Sequence, residues 1–255
     1  MSGAEGLGPV LVTGAARRIG LALAKGFAEI GRPVILHASP RSLREATAAA
    51  GALRARGARA ETVAADLSDA LEARGLIERA ESVFGPLTLL VNNASVFRHD
   101  FPGAAEPDAL AESLAVHALA PFMLIEAAAR AKPAQARLDV FNILDQKLLN
   151  LNADYYSYTL GKAALMAMTQ MWGLAGRADV RVFGLAPGLM FPSGPQNEAR
   201  FQADSAKIPT GRATPAEQIC AAIGFFLANT GVPGQILPVD GGEHLAPRLR
   251  DMAFE

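Results

Sequence analysis

Seven short apolar runs recur along the chain, each separated from the next by a segment long enough for a helix. They are Pro9-Val-Leu-Val-Thr13, Pro33-Val-Ile-Leu-His37, Ala60-Glu-Thr-Val-Ala64, Leu87-Thr-Leu-Leu-Val91, Leu138-Asp-Val-Phe-Asn-Ile143, Val180-Arg-Val-Phe-Gly-Leu185 and Gln235-Ile-Leu-Pro-Val239. Runs that stay apolar, rather than alternating with polar residues, read as strands covered on both faces. Ile19 to Ile30 and Ser42 to Arg56 read as helices between them, the second opened by a capping box of Ser42 and Glu45. Strand, helix and strand in repetition specify an α/β fold with a parallel sheet, because a right-handed crossover lays each helix on a sheet face.

The remaining bounds follow from length and charge. At 255 residues the chain suits one α/β domain spanning 1–255. With 24 Lys+Arg against 25 Asp+Glu the net charge is −1, which argues against nucleic acid or an anionic membrane as partner. Cys220 is the single cysteine, so no internal disulfide forms. MSGAEGLG lacks the features of a secretory signal, and the apolar stretch Leu114 to Ala129 is interrupted by His117, Pro121 and Glu126. A cytoplasmic protein is expected. The irregular segment at about 187–214, rich in Pro, Gly, Ser and Gln, leaves the sixth strand and is too long for an ordinary connection, so it reads as a lid or binding loop.

Three motifs carry chemistry. The first strand runs into Thr13-Gly-Ala-Ala-Arg-Arg-Ile-Gly20 and then a helix, an arrangement that presents N–H groups and a positive dipole end to a dinucleotide pyrophosphate. The second strand ends at His37-Ala-Ser-Pro-Arg41 without the carboxylate that would bind a ribose 2′-hydroxyl. Arg17, Arg18 and Arg41 instead suit a 2′-phosphate through forked, charge-assisted bonds, which predicts NADPH as cofactor. Tyr158 and Lys162 fall one helical turn apart, and the ammonium is expected to lower the pKa of the phenol toward neutrality.

In order along the chain, Thr13, Gly14 and Gly20, Asp66-Leu67, Asn92-Asn-Ala-Ser95, Tyr158 and Lys162, Pro187-Gly188 and Asp240-Gly-Gly242 resemble the short-chain dehydrogenase/reductase family over nearly its whole length. The resemblance implies a single Rossmann-like, doubly wound domain with a seven-stranded sheet, hydride transfer with a nicotinamide, a homotetramer and no metal. It implies cofactor contacts from Gly14, Arg17, Arg18, Ile19, Gly20, His37, Arg41, Asp66, Leu67, Asn93, Ala94, Lys162, Pro187 and Gly188.

Two departures from the general pattern are similar to the pteridine reductase branch: Arg18 where most members carry a third glycine, and Asp145 where most carry a serine thirteen residues before the tyrosine. A carboxyl suits the ring nitrogens and amino group of a dihydropterin better than it suits a ketone oxygen. Asp145, Tyr158 and Lys162 are then the expected catalytic group, with Arg18, Ser95, Phe97, Asp145, Tyr158 and Leu189 facing a pterin substrate. His117 stands where many members place an asparagine that holds a relay water; a buried structural histidine is the equal alternative. His99 and Asp100 flank the expected pocket. A carbonyl or enone reductase, and an NADPH-binding sensor without turnover, are the rival readings.

Overall fold

The computed structural model describes residues 7–192, 196–232 and 234–254. The apolar runs form β1 (Val10–Val12), β2 (Val34–Ala38), β3 (Ala60–Ala64), β4 (Leu89–Asn92), β5 (Leu138–Ile143), β6 (Val180–Pro187) and β7 (Ile236–Val239). They make one sheet in the order β3-β2-β1-β4-β5-β6-β7, parallel at every pairing. Val12 lies opposite Leu36 on one side and Val91 on the other, so the strand order reverses between β1 and β4. Crossovers from β1 and from β4 therefore leave in opposite directions and open a crevice beyond the carboxyl ends of these two strands.

The helices are α1 (Arg18–Glu29), α2 (Leu43–Arg54), α3 (Ala70–Arg74), α4 (Leu76–Phe84), α5 (Pro107–Leu114), α6 (Ala120–Ala131), α7 (Tyr156–Leu174), α8 (Glu198–Ser205) and α9 (Glu217–Ala228). Val10, Val12, Val34 and Leu36 meet Leu23, Phe27, Leu53 and Ile223 of α1, α2 and α9 in one core. Leu11, Ile35 and Leu90, at alternate positions, meet Ile77 and Leu124 of α4 and α6 in the other. Both faces of the sheet are thus dry, as the unbroken apolar runs require.

Three sequence expectations are corrected. Ser42 does stand at the start of α2, yet its hydroxyl bonds Ser39 rather than a helix N–H, so no capping box forms. The segment after β6 is not wholly irregular: Pro187 ends the strand, and α8 lies within it. Residues 193–195 of that segment lie outside the described residues. The stretch Leu114 to Ala129, read as falling short of a membrane span, lies in one helical rod, Pro107–Ala131, long and apolar enough by length and composition alone to cross one. Here it packs into the second core, and His117 at its middle is fully buried.

Phe141 of β5, Phe183 of β6 and Phe226 of α9 stack with centroids 5.0 Å and 4.8 Å apart across successive pairs. This column fixes β5 against β6, the strands whose ends deliver Asp145 and Pro187. Phe183→Ala is expected to destabilise the fold by about 3–5 kcal/mol, from lost transfer energy plus a cavity. Denaturant unfolding with an unchanged slope checks this; a loss under about 1 kcal/mol would mean that the column carries little of the packing.

Candidate active site

The crevice between β1 and β4 is laced by Thr13 and Asn93. Thr13 Oγ1 accepts from Asn93 N and Ala94 N, both at 2.9 Å, while Asn93 Nδ2 donates to Thr13 O at 2.8 Å and Gly14 O at 3.2 Å. Gly14 has φ +64°, and a Cβ there would stand 2.8 Å from Ala94 Cα, so backbone conformation and close approach both demand glycine. A Cβ on Gly20 would stand 2.3 Å from Gly14 O.

Around this crevice opens a cavity of about 580 Å³. All but one of the expected site residues line it: Gly14, Arg17, Arg18, Ile19 and Gly20 of the first turn, His37, Asp66 and Leu67, then Asn93, Ala94, Ser95 and Phe97, with Asp145, Tyr158, Lys162, Pro187, Gly188 and Leu189. Arg41 is the exception. It sits exposed in the short turn Pro40–Ser42, and Ser39 and Ser42 line the cavity there instead. His99 and Asp100 do not line it either; their polar groups are engaged at and just before the start of α7. Asp100 caps the helix through Ser157 N at 3.0 Å, and His99 Nε2 lies 3.2 Å from the buried Asp154.

His37 lines the cavity with its polar atoms already used. Gly14 N donates to Nδ1 at 3.1 Å, so Nε2 carries the proton and donates to Ala65 O at 3.0 Å. Burial pulls its pKa down to about 4, leaving a neutral ring that braces the first turn. Arg18 begins α1 with φ +53°, a left-handed conformation that explains why glycine is usual here. The strain holds a guanidinium at the cavity wall, 6.0 Å from the Phe191 ring, where burial and then Arg17 lower its pKa. No side chain caps α1 and no acid sits in its first turn, so its positive end is open toward the cavity.

At the other end Tyr158, brought by α7, donates its hydroxyl to Asp145 Oδ2 at 2.6 Å. Asp145 Oδ1 accepts from Lys147 N at 2.9 Å, which sets the carboxyl at the end of β5. Lys162 Nζ donates to Ile143 O at 2.6 Å and stands 5.8 Å over the Tyr158 ring. The expected electrostatics reverse here. Burial, and then the charge and hydrogen bond of Asp145, push the Tyr158 phenol well above its ordinary value; Arg18, not Lys162, is the cation that opposes this. Burial likewise raises Asp145 against the pull of Tyr158, the Lys147 N–H and Lys162, and lowers Lys162 to about 8. The group is a protonated phenol shared with a buried carboxyl, rather than a phenolate made by a lysine.

Phe97 is half-exposed, as a stacking surface requires, but one side is already taken: its ring stacks on Tyr155 at 4.0 Å and meets Tyr158 edge-on at 4.8 Å. Tyr155, itself left-handed at φ +55°, was not anticipated. Nor were Gln146, Glu243, Asp251 and Met252, which also line the cavity. Glu243 accepts from Leu189 N at 2.9 Å and from Gln146 Nε2 at 3.1 Å, and burial lifts its carboxyl to about 7. Its signal was the acid that follows Asp240-Gly-Gly242. Asp251 and Met252 reach the site because Asp154, fully buried, binds Arg250 through two 2.8 Å bonds and Asp251 N through a third. No local pattern announces such a long-range tie.

Residues 14–244 match the family model described as enoyl-(acyl carrier protein) reductase. Dihydromonapterin reductase of Escherichia coli K12 is 28% identical over 240 residues, which are 93% of this chain and 97% of that protein. FolM, alternative dihydrofolate reductase 1, from Brucella suis in complex with NADP superposes with a TM-score of 0.91 at 38% identity, covering 96% of this chain and 97% of that one. A gluconate 5-dehydrogenase from Burkholderia cenocepacia in complex with NADP and tartrate gives 0.84 at 28%, covering 93% and 95%. With the Tyr158/Lys162 pair on α7 and Asp145 beside it, this chain belongs to the short-chain dehydrogenase/reductase family, in its pteridine reductase-like branch.

Proposed function

We propose that this NADPH-dependent oxidoreductase reduces a dihydropterin, of the dihydromonapterin or dihydrobiopterin type, to its tetrahydro form. The observation that carries the reading is the 2.6 Å bond between Tyr158 and Asp145, where a serine hydroxyl would serve a ketone. The names of the relatives, dihydromonapterin reductase and alternative dihydrofolate reductase, support it.

The residues present fit NADPH. The uncapped start of α1 and the Gly14 to Gly20 turn would take the pyrophosphate, and Asn93 and Lys162 the nicotinamide side. Arg17, Arg18, Ser39 and Ser42 would take the 2′-phosphate, with Arg41 on the adjoining exposed turn as a further cation for it. Asp66 and Leu67 would flank the adenine, and Pro187 and Gly188 the carboxamide end. When bound, the cofactor supplies the hydride for C6 of the pterin.

The chain's own part is to orient the pterin and keep a proton beside N5. Phe97 offers its free side to the planar ring, and Ser95, Arg18 and Leu189 border it. Burial and then Asp145 keep the Tyr158 phenol protonated, the 2.6 Å bond holds that proton against the carboxyl, and the proton for N5 would come from ordered water or a neighbouring group arranged by Tyr158, Lys162 and Asp145. A homotetramer, implied by family likeness, agrees with the exposed Leu114, Phe122, Leu160 and Met171 on α5, α6 and α7.

One other reading has a specific support. The enoyl description of the family model and the likeness to gluconate 5-dehydrogenase favour an enone or carbonyl substrate. A panel of dihydromonapterin, dihydrobiopterin, dihydrofolate and several ketones and enones, each with NADPH, separates the two. A dihydropterin is expected to lead in kcat/KM, and a ketone or enone better by roughly tenfold would reverse the assignment, since that is about 1.4 kcal/mol of transition-state preference. Tyr158→Phe should lower kcat by roughly 10²-fold or more with the NADPH Kd nearly unchanged; equal turnover would remove the phenol from the reaction. Arg18→Gly relieves the left-handed strain, so thermal stability should hold or rise while KM for both cofactor and substrate increases. A drop in melting temperature without a kinetic change would contradict a binding role for Arg18.

A further inference from the structure

A polar chain that takes no part in the Tyr158/Asp145 exchange runs from the cavity wall into the core through His117. This residue is fully buried in the π bulge Ala115–Leu119, where the rod made by α5 and α6 is locally widened and underwound. Val96 N donates to its Nε2 at 3.3 Å. A backbone N–H can only donate, so Nε2 holds a lone pair and the ring proton resides on Nδ1. Nδ1 then donates to Ser113 Oγ at 3.1 Å, and Ser113 passes its own proton to Ser157 O at 2.8 Å.

Ser95 Oγ stands 3.0 Å from the same Nε2. With a lone pair on Nε2, the contact is favourable only if Ser95 is the donor. Val96 O, the alternative acceptor, is 3.5 Å away, at the outer limit of a hydrogen bond. A serine has one proton. Spending it on His117 leaves only lone pairs to face the cavity that Ser95 lines.

We infer that His117 is a positioning residue that turns Ser95 into an obligate hydrogen-bond acceptor toward substrate, favouring an N–H edge over a carbonyl oxygen. The acceptor lock stands on the geometry alone; its consequence for pterin selection rests on the function proposed above. The same bonds exclude a water-relay role for His117, because both ring nitrogens are engaged within the protein.

The rest of the fold is built to hold this arrangement. A Cβ on Gly161, between Tyr158 and Lys162, would stand 2.4 Å from Ser113 Oγ and 3.0 Å from His117 Nδ1, so the helix that carries the catalytic pair is bare where the chain crosses it. The groups facing His117 are Ser95 and Val96 after β4, Ser113 on α5, and Ser157, Tyr158 and Lys162 on α7; Tyr158 meets the ring edge-on at 5.3 Å. The one cation among them, Lys162, adds to burial in disfavouring a second ring proton and helps bring the His117 pKa down to about 2.

The test has two arms. In NADPH-loaded protein labelled with ¹⁵N-histidine and assigned through the resonance that His117→Asn removes, His117 should show a protonated Nδ1 and a bare Nε2, unchanged between roughly pH 6 and 8. An Nε2–H tautomer, or titration in that window, overturns the lock without reference to any substrate. In the kinetic arm, Ser95→Ala should lower kcat/KM for dihydromonapterin about tenfold, mainly through KM. Ser95→Ala added to His117→Asn should cost less than roughly twofold more, because the second change removes a hydroxyl already released. Losses that multiply in the double variant, or a shifted pH profile of kcat in His117→Asn, overturn the positioning role. Wild-type protein that reduces no dihydropterin, yet keeps the Nδ1–H form, overturns the selection of pterins while supporting the acceptor lock.

Discussion

The whole arrangement depends on a parallel sheet whose strand order reverses between β1 and β4. Helices leaving in opposite directions from these two strands cannot close over their ends, so a crevice is forced at that point. Thr13 and Asn93 then tie its two lips together with bonds of 2.8–3.3 Å, several of them side chain to backbone across about eighty residues of chain. The side chains that line the cavity are arranged mainly along this crevice and at the neighbouring ends of β5 and β6.

Burial, more than charge pairing, sets the direction of shift at Tyr158, Asp145, Lys162, His37, His117 and Glu243. A tyrosine beside a lysine suggests a phenolate, but desolvation penalises any unpaired charge, and the phenol finds Asp145 2.6 Å away. The same penalty keeps His37 and His117 neutral, which frees each ring to act as both donor and acceptor in fixed directions. Glu243, lifted to about 7, and Lys162, lowered to about 8, bring two further groups into the neutral range in the same cavity as Tyr158 and Asp145. The buried end of the site therefore holds its protons in defined places, with Arg18 and Lys162 as the cations beside them.

Strain marks the positions where side-chain chemistry outweighs backbone comfort. Among the described residues, Arg18 and Tyr155 are the non-glycine residues with positive φ, and both border the substrate end of the cavity or support it. Arg18 takes a conformation suited to glycine and places a guanidinium by the cavity. Tyr155 takes one at the entry of α7, bringing its ring onto Phe97. Such a cost, of order 1–3 kcal/mol each, persists where the surrounding packing over-determines it.

The fold was legible in the sequence because apolar continuity and βα alternation are local properties, and the strand runs at 60–64 and 138–143 match the observed strands residue for residue. The first turn and the Tyr158/Lys162 pair were legible for the same reason, since each lies on a single element with fixed spacing. The direction of the Tyr158 shift, the engagement of both nitrogens of His117, the removal of Arg41 from the cavity wall and the arrival of Asp251 beside Asp145 were not. Each depends on groups tens of residues apart and on how much water remains between them, quantities that come into being only when separate elements pack together. The linear chain determined the first turn and the Tyr158/Lys162 spacing; the packed molecule decided which distant side chains join them, which are charged and which way their protons point.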